Sequence, residues 1–227
     1  MSAQADSREQ VLERIRAATR GSGRGGQSPV REGEQPFSTI TCEYVQKGKL
    51  TARACQERFV ERLREYDAEV VECGPEGIGA AIAARLKASG RRKIVAPAGL
   101  PAEWLAEGFD WKIDHDLAAG DVEEAEGVVT GCFCGVAESG TIVLHHGPAE
   151  GRRVITLLPD WYLCVVLASQ IVETLPEYFA RCERTPSVVT WISGPSATAD
   201  IEMTRIKGVH GPRFLNVVLV KDLESRD

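Results

Sequence analysis

A strand, a helix and a second strand follow one another in residues 68–96, which read AEVVECGPEGIGAAIAARLKASGRRKIVA. The runs 68–72 and 92–96 are short and centred on β-branched residues, as strands are. Between them an apolar stripe recurs at helical spacing, formed by Ile78, Ile82 and Leu86. Gly90 then suits the left-handed cap that ends a helix. This alternation is typical of a parallel sheet covered by helices and predicts an α/β protein.

The same alternation continues on both sides of this segment. Helices are predicted over residues 51–66 and 101–108, and further strands over 127–130, 141–144, 162–167, 187–192 and 215–220. Gly147, Pro148 and Gly151 separate two strand-like runs in residues 143–155, which indicates one antiparallel hairpin. We therefore expect a three-layer α/β/α sandwich with a mixed, mostly parallel sheet.

The N-terminal part of the chain is predicted to stand apart from this domain. Residues 1–20 are predicted to form a helix that opens on the capping-box spacing Ser7 to Gln10. Residues 21–40 are glycine-rich and have no apolar periodicity, which is typical of a linker. The α/β domain then occupies residues 41–227. The sequence leaves open whether the first helix docks on its own domain or on a partner.

Composition excludes several classes of protein. The formal net charge of −6 disfavours a protein that binds nucleic acid regardless of sequence. The longest apolar runs fall well short of the roughly 20 residues that a membrane span needs. The polar first ten residues do not resemble a secretory signal. Seven cysteines, an odd number, then indicate reduced thiols in the cytoplasm.

The first candidate site is the turn in residues 130–141, TGCFCGVAESGT, where the chain leaves one strand and enters another at Thr141. Glu138 lies in this turn and is a candidate base or nucleophile, or a cap for free backbone N–H groups. Cys132 and Cys134 are too few for a closed zinc site, and no metal is predicted. For His145 and His146 we expect one buried and one solvated ring.

The second candidate site follows the strand predicted over residues 187–192. Gly194 and Pro195 turn the chain, and Ser196 and Thr198 can cap a new helix whose free N–H groups would bind a phosphate or carboxylate. The acids of its first turn, Asp200 and Glu202, are either capping or site residues. Lys207 could neutralise the anion, and His210 could exchange protons near neutral pH. In open α/β sheets ligands bind beyond the carboxyl ends of the strands, so both segments are expected to form one cleft there.

Several ordered motifs resemble the LUD-domain family, and within it the lactate-utilisation type that lacks iron–sulfur motifs. Residues 131–144 resemble the family's "AETGT"-type turn, with Ala137-Glu138-Ser139-Gly140-Thr141 at its centre. Residues 153–159, 168–172, 193–202 and 208–212 resemble later blocks in the same order. The resemblance covers about residues 127–220 and extends more loosely back to about Cys42.

The resemblance implies a fold like that of the NagB, RpiA and CoA-transferase proteins, and a role in oxidising L-lactate to pyruvate beside two iron–sulfur partner subunits. This sequence lacks the repeated Cys-x-x-Cys runs of such clusters, so it would be the subunit without iron and sulfur. Apart from the resemblance, the residues themselves make Glu138 and His210 candidate catalytic residues, and a small carboxylate or phosphate-bearing ligand is expected at Thr141, Gly194, Ser196, Thr198 and Lys207.

Two alternatives stay open beside that role. The chain could be a stand-alone regulatory module that binds a metabolite anion, or a transferase or ligase that depends on Glu138. The sequence identifies no cofactor and does not fix the oligomeric state.

Overall fold

The computed structural model describes residues 11–17, 44–182, 186–199, 205–207 and 211–221. The chain divides into two units, Met1–Tyr44 and Val45–Asp227. In the first unit, residues 11–17 are helical, in agreement with the N-terminal helix. Residues 1–10 and 18–43 lie outside the described residues, so the bounds of that helix and of the linker stay predictions.

A six-stranded sheet forms the centre of the second unit. Its strands are β1 (Glu69–Cys73), β2 (Lys93–Pro97), β3 (Asp110–Asp114), β4 (Gly127–Thr130), β7 (Trp161–Leu167) and β12 (Phe214–Val220). Their order in the sheet is β1-β12-β7-β4-β2-β3, and all five pairings are parallel.

The position of β7 in the middle of the sheet, with both faces covered, explains why its sequence is apolar throughout. Tyr162, Cys164 and Val166 pack into the core on one face of the sheet. Leu163 and Val165 pack into a second core on the other face. Successive side chains of a strand point to opposite faces, so a strand covered on both faces must be apolar at every position.

A second sheet has four strands. Its members are β5 (Cys134–Val136), β6 (Thr141–Leu144), β8 (Ile171–Val172) and β9 (Thr190–Ile192), in the order β8-β5-β6-β9. β6 pairs antiparallel with both β5 and β9. The prediction of an antiparallel hairpin in residues 143–155 was wrong, and the hairpin of this sheet is β5–β6 instead. A two-stranded hairpin, β10 (Ala197–Ala199) with β11 (Arg205–Lys207), follows β9.

Five α-helices are described in this unit: α1 (Ala52–Glu65), α2 (Ile78–Ser89), α3 (Ala119–Glu123), α4 (Arg153–Leu157) and α5 (Leu175–Arg181). The strand-like interpretation of residues 153–155 was wrong, since this segment belongs to α4. Its Ile155 and Thr156 are buried, so tertiary packing outweighs the strand propensity of their β-branched side chains. None of the helices among the described residues has the length and apolar character that a membrane crossing requires.

The layers confirm the α/β class and the predominance of parallel pairing. α2 covers one face of the central sheet with Ile78, Ile82 and Leu86, the stripe seen in the sequence. On the other face, α1 and the four-stranded sheet form the covering layer together. The antiparallel pairings thus lie outside the central sheet, in the four-stranded sheet and in the β10–β11 hairpin.

Candidate functional site

The two candidate loops contact each other where β6 begins and β9 ends. β9 runs antiparallel to β6, so the residues after β9 lie beside the turn before β6. There the Oγ1 atom of Thr141 is 2.7 Å from the Oγ atom of Ser193. Thr141 is also 2.7 Å from the Oγ atom of Ser139. A chain of three hydroxyl groups therefore joins the Glu138 turn to the loop that contains Gly194 and Ser196.

A cleft of about 240 Å³ opens beside this loop, and we call it the Ser196 cleft. It lies between β9, the loop 193–197 and the first residues of β7 and β12. Hydroxyl-bearing residues of the lining are Thr156, Tyr162, Thr190, Ser193 and Ser196, and its apolar wall includes Leu157, Ile192, Pro195, Pro212 and Leu215. The described lining thus combines hydroxyl-bearing residues with apolar ones and includes no charged residue.

The predicted helix after Ser196 was wrong. Residues 197–199 form β10, which pairs with β11, so this segment does not present the free N–H groups of a helix start. Ser196 instead donates its backbone N–H to the carbonyl oxygen of Pro212 at 2.8 Å. For Thr198 and Lys207 the structure describes the backbone only. Asp200, Glu202 and His210 lie outside the described residues, and their roles stay predictions.

The prediction that this loop lies beyond the carboxyl ends of the central strands was also wrong. Tyr162 and Leu215, which line the cleft, are the second residues of β7 and β12. The Ser196 cleft therefore lies at the amino ends of these parallel strands, not beyond their carboxyl ends. The reason is that the strand before the loop, β9, joins the four-stranded sheet as its edge strand. An apolar strand sequence does not specify which sheet it enters.

Glu138 lies in the exposed turn between β5 and β6. Its backbone N–H donates to the carbonyl oxygen of Glu173 at 3.0 Å, while its side chain is not part of the lining of the Ser196 cleft. Gly140 in the same turn has a φ of 63°, and a β-carbon there would be 2.7 Å from the Cβ atom of Arg62. The turn is therefore packed tightly against α1, and its glycine permits this close approach.

Both adjacent histidines are half-buried and hydrogen-bonded, so the expectation of one buried and one solvated ring was wrong. His145 stacks on Phe133 with ring centroids 3.6 Å apart, and its Nε2 atom is 2.8 Å from the hydroxyl of Tyr178. Burial lowers the pKa of His145. His146 instead reaches the cleft wall, where its Nε2 atom is 2.9 Å from the Oγ1 atom of Thr190.

Two residues of the cleft lining, Thr156 and Thr190, were not identified from the sequence. Glu150, which binds the backbone of His146, was also not identified. Thr190 and Ile192 alternate along β9, and this period of two was the available signal that their side chains share a face. No pattern in the sequence indicates Glu150, because its contact with the two histidines depends on the conformation of the loop between them. Its carboxylate accepts hydrogen bonds from the backbone of His145 and from that of His146, and burial raises the pKa of Glu150.

The cysteines at positions 132 and 134 do not share a site. Cys132 packs in the core between the two sheets, whereas Cys134 packs on the outer face of the four-stranded sheet. The interaction of Cys132 with Cys164, together with burial, raises the pKa of the Cys132 thiol, as expected for an unreactive core cysteine. Among the residues that the structure describes, no three His, Cys, Asp or Glu side chains converge on a position suited to a metal ion.

We expect Gly194→Ala to distort the loop of the Ser196 cleft and to lower the free energy of unfolding by about 2 kcal/mol. Gly194 has a φ of 88°, and a β-carbon there would be 2.6 Å from the Cβ atom of Tyr66. Gly108 is the matched control. It has the same φ, and in the described part of the chain no atom lies within 4 Å of the position that a β-carbon would take.

Gly108→Ala should therefore report the backbone strain alone, about 1 kcal/mol. Urea denaturation of both variants separates the strain from the contact with Tyr66. Equal losses in the two variants would show that the contact with Tyr66 does not hold the loop in place.

Comparison with known proteins agrees with this fold. The sequence pattern of the LUD domain matches residues 56–220. Lactate utilization protein C of Deinococcus radiodurans is 40% identical over 167 residues, which are 72% of this chain and 78% of that protein. Lactate utilization protein C of Macrococcus caseolyticus is 28% identical over 217 residues, 85% of this chain and 90% of that one. Lactate utilization protein C of Bacillus subtilis is 36% identical over about half of each chain.

A solved structure shares the same architecture. The crystal structure of a DUF162 family protein from Deinococcus radiodurans superimposes with a TM-score of 0.64 and 34% sequence identity. The superposition covers 76% of this chain and 99% of that one. The parallel central sheet, the matched residues 56–220 and the extent of these alignments lead to one conclusion: the chain belongs to the LUD domain family.

Proposed function

We propose that this protein serves lactate utilisation as the subunit without iron–sulfur clusters in a complex that oxidises L-lactate to pyruvate. The observation that carries the proposal is the 40% identity to a lactate utilization protein C across 78% of that relative's length. The sequence adds that none of the seven cysteines stands in the Cys-x-x-Cys spacing of cluster ligands. Electron transfer would then belong to two iron–sulfur partners in the cytoplasm.

The contribution of this subunit would be to bind the small carboxylate in the Ser196 cleft. Two predicted ligand residues, Gly194 and Ser196, line this cleft, and Thr141 contacts its rim through Ser193. A volume of about 240 Å³ suits a metabolite smaller than typical drug-sized ligands. The described lining has no cationic side chain. Lys207, which the sequence predicts to neutralise the anion, and His210, predicted to exchange protons, precede the cleft residue Gly211 in the sequence.

Reconstitution tests the proposal directly. The purified chain is mixed with its two iron–sulfur partner subunits, passed over a size-exclusion column and assayed for lactate-dependent dye reduction. We expect the three chains to elute together, and dye reduction to require all of them. Separate elution, with dye reduction unaffected when this chain is omitted, would contradict the proposal.

A second candidate function is a stand-alone module that binds a metabolite anion. The observation in its favour is the Ser196 cleft itself, whose volume of about 240 Å³ suits a small ligand. Thermal denaturation of the isolated chain with L-lactate, pyruvate, nucleotides and acyl-CoA distinguishes the two functions. A ligand that binds the native state must raise the midpoint. Stabilisation without assembly of the complex would favour the regulatory module.

The Glu138-dependent transferase has less support than either of these functions. Its carboxylate is exposed in the β5–β6 turn and is separate from the lining of the Ser196 cleft. Full activity of Glu138→Gln in the reconstituted complex would remove this candidate.

A further inference from the structure

His146 connects a tightly held loop to the wall of the Ser196 cleft. Its Nδ1 atom is 2.9 Å from the carbonyl oxygen of Gly151, and its Nε2 atom is 2.9 Å from the Oγ1 atom of Thr190. A carbonyl oxygen only accepts hydrogen bonds, so Nδ1 must carry the ring proton. In the neutral imidazole Nε2 is then an acceptor, and the hydroxyl of Thr190 donates its proton to it.

The surrounding loop fixes the histidine in this orientation. His146 adopts a left-handed backbone with a φ of 59°, which is uncommon for a residue other than glycine. The carboxylate of Glu150 accepts the backbone N–H of His146 at 3.0 Å. Gly151, whose carbonyl oxygen accepts the hydrogen bond from the ring, donates its own N–H to the carbonyl oxygen of Gly147 at 2.8 Å. The tautomer therefore follows from several contacts that act together.

This arrangement decides what Thr190 can offer to a ligand. Because its single proton is directed to His146, Oγ1 can only accept further hydrogen bonds, and Thr190 belongs to the lining of the Ser196 cleft. Thr156, on the same lining, likewise donates its proton to the carbonyl oxygen of Arg153 at 3.0 Å. Both hydroxyl oxygens thus keep only lone pairs for further hydrogen bonds. At Thr190 this suits a ligand group that donates a hydrogen bond and disfavours a carbonyl oxygen.

We propose that Thr190 is a specificity residue that accepts a hydrogen bond from a ligand hydroxyl, and that His146 is the positioning residue that keeps it an acceptor. The inference rests on the proposed function, because it takes the ligand of the Ser196 cleft to be a small hydroxy acid. It adds that the cleft discriminates a hydroxy acid from the corresponding keto acid. A hydroxyl group on the acid satisfies Thr190, whereas a keto oxygen faces its lone pairs.

The ring tautomer can be measured before any ligand is added. The chain has four histidines, so long-range nitrogen–proton NMR spectra of the imidazoles can be assigned with His146→Gln as the reference. We expect the neutral ring of His146 to carry its proton on Nδ1 and to have a bare Nε2. A proton on Nε2 would overturn the proposal whatever the ligand is.

Binding of L-lactate and pyruvate to three proteins tests the specificity role. By calorimetry the wild type should bind L-lactate more tightly than pyruvate. Thr190→Val removes the acceptor at nearly constant volume and should weaken L-lactate about tenfold, with pyruvate unchanged or tighter. Thr190→Ser restores the hydroxyl and should restore the preference. A merely structural role for Thr190 would weaken both acids alike.

The outcomes separate this inference from the proposed function. An unchanged ratio of the two affinities in Thr190→Val would overturn the inference and leave L-lactate as the ligand. If the wild type binds neither acid, the ligand class is wrong, and the inference fails together with the proposed role of the cleft. His146→Gln with a wild-type ratio of affinities would overturn the positioning role of His146 alone.

Discussion

Phe59→Ala is expected to lower the free energy of unfolding by about 4 kcal/mol. Phe59 lies on α1 and is fully buried. It belongs to the core that joins α1 to both sheets, so its removal opens a cavity where this helix meets the two sheets. Its ring lies against the backbone of β5, since a β-carbon on Gly135 would be 2.9 Å from its Cζ atom. Atoms packed this closely on a strand cannot move into the space without disturbing the four-stranded sheet.

Equilibrium unfolding in guanidinium, followed by fluorescence of the four tryptophans, measures this loss. Phe179→Ala is the matched control, because Phe179 is 55% exposed and packs at the edge of an aromatic cluster with Tyr178 and Trp191. The control should lose no more than about 1 kcal/mol. If the two variants lost similar amounts of unfolding free energy, Phe59 would not be what anchors α1 to the two sheets.

Asp114→Ala is expected to cost about 3 kcal/mol. Asp114 lies at the carboxyl end of β3, and its side chain is only 3% exposed. Arg152 binds both carboxylate oxygens, at 2.9 Å through Nε and at 2.6 Å through a terminal nitrogen. The backbone N–H groups of Asp116 and Leu117 donate to the same carboxylate. The variant leaves all these donors without their acceptor. Arg152 is partly exposed, which keeps its charge hydrated and limits the loss.

The neighbouring acid provides the control. Asp116 also binds Arg152, at 2.8 Å, but its side chain is 87% exposed. An exposed ion pair contributes little, so Asp116→Ala should change the free energy of unfolding by no more than about 0.5 kcal/mol. Urea denaturation near neutral pH compares the two variants. A loss in Asp116→Ala as large as that in Asp114→Ala would show that burial is not the deciding factor.

The pH dependence has a definite sign. The hydrogen bonds from Arg152 hold the pKa of Asp114 below its ordinary value in the folded chain. In the unfolded chain the carboxyl titrates near pH 4. The contribution of Asp114 is therefore complete above about pH 4, and it is lost as the pH falls through the lowered pKa of the folded state. The stability difference between wild type and Asp114→Ala should shrink on acidification. An equal difference at about pH 3 and about pH 7 would contradict this assignment.

This ion pair also bears on the proposed site. Arg152 directly follows Gly151, whose carbonyl oxygen accepts the hydrogen bond from His146. It also precedes α4, on which the cleft residue Thr156 lies. The Asp114–Arg152 contact thus holds the end of the loop that orients His146 and Thr190. We therefore expect Asp114→Ala to reduce the preference of the cleft for a hydroxy acid as well as stability.

The central sheet could be predicted in large part because its strands carry a local signal. β7 and β12 are apolar at nearly every position, and the stripe on α2 recurs at helical spacing. β3 was not predicted, since Asp110, Lys112 and Asp114 make an edge strand look polar. β5 and β8 were also missed, because strands of three and two residues are too short for a periodic pattern. These elements exist through pairing with distant segments.

The candidate site, like the fold, has parts that the sequence predicts and parts that depend on contacts between distant residues. The segments around Glu138 and Ser196 stand out in the sequence, because glycine-rich turns at fixed positions resemble the family's motifs. Their contact through Thr141 and Ser193 joins residues that are 52 positions apart. The roles of Thr190 and His146 likewise depend on a bond across 44 positions. No local pattern encodes such a distance.

The sequence by itself determined the α/β class, the family and the two loops on which the function is expected to depend. These follow from residue periodicity and from motifs, which are properties of neighbouring residues. Only the tertiary structure decided that β9 joins a second sheet, that residues 197–199 form a strand, and that the cleft opens at the amino ends of β7 and β12. The physical reason is that strand partners and the faces they bury are chosen by contacts between residues far apart in the chain.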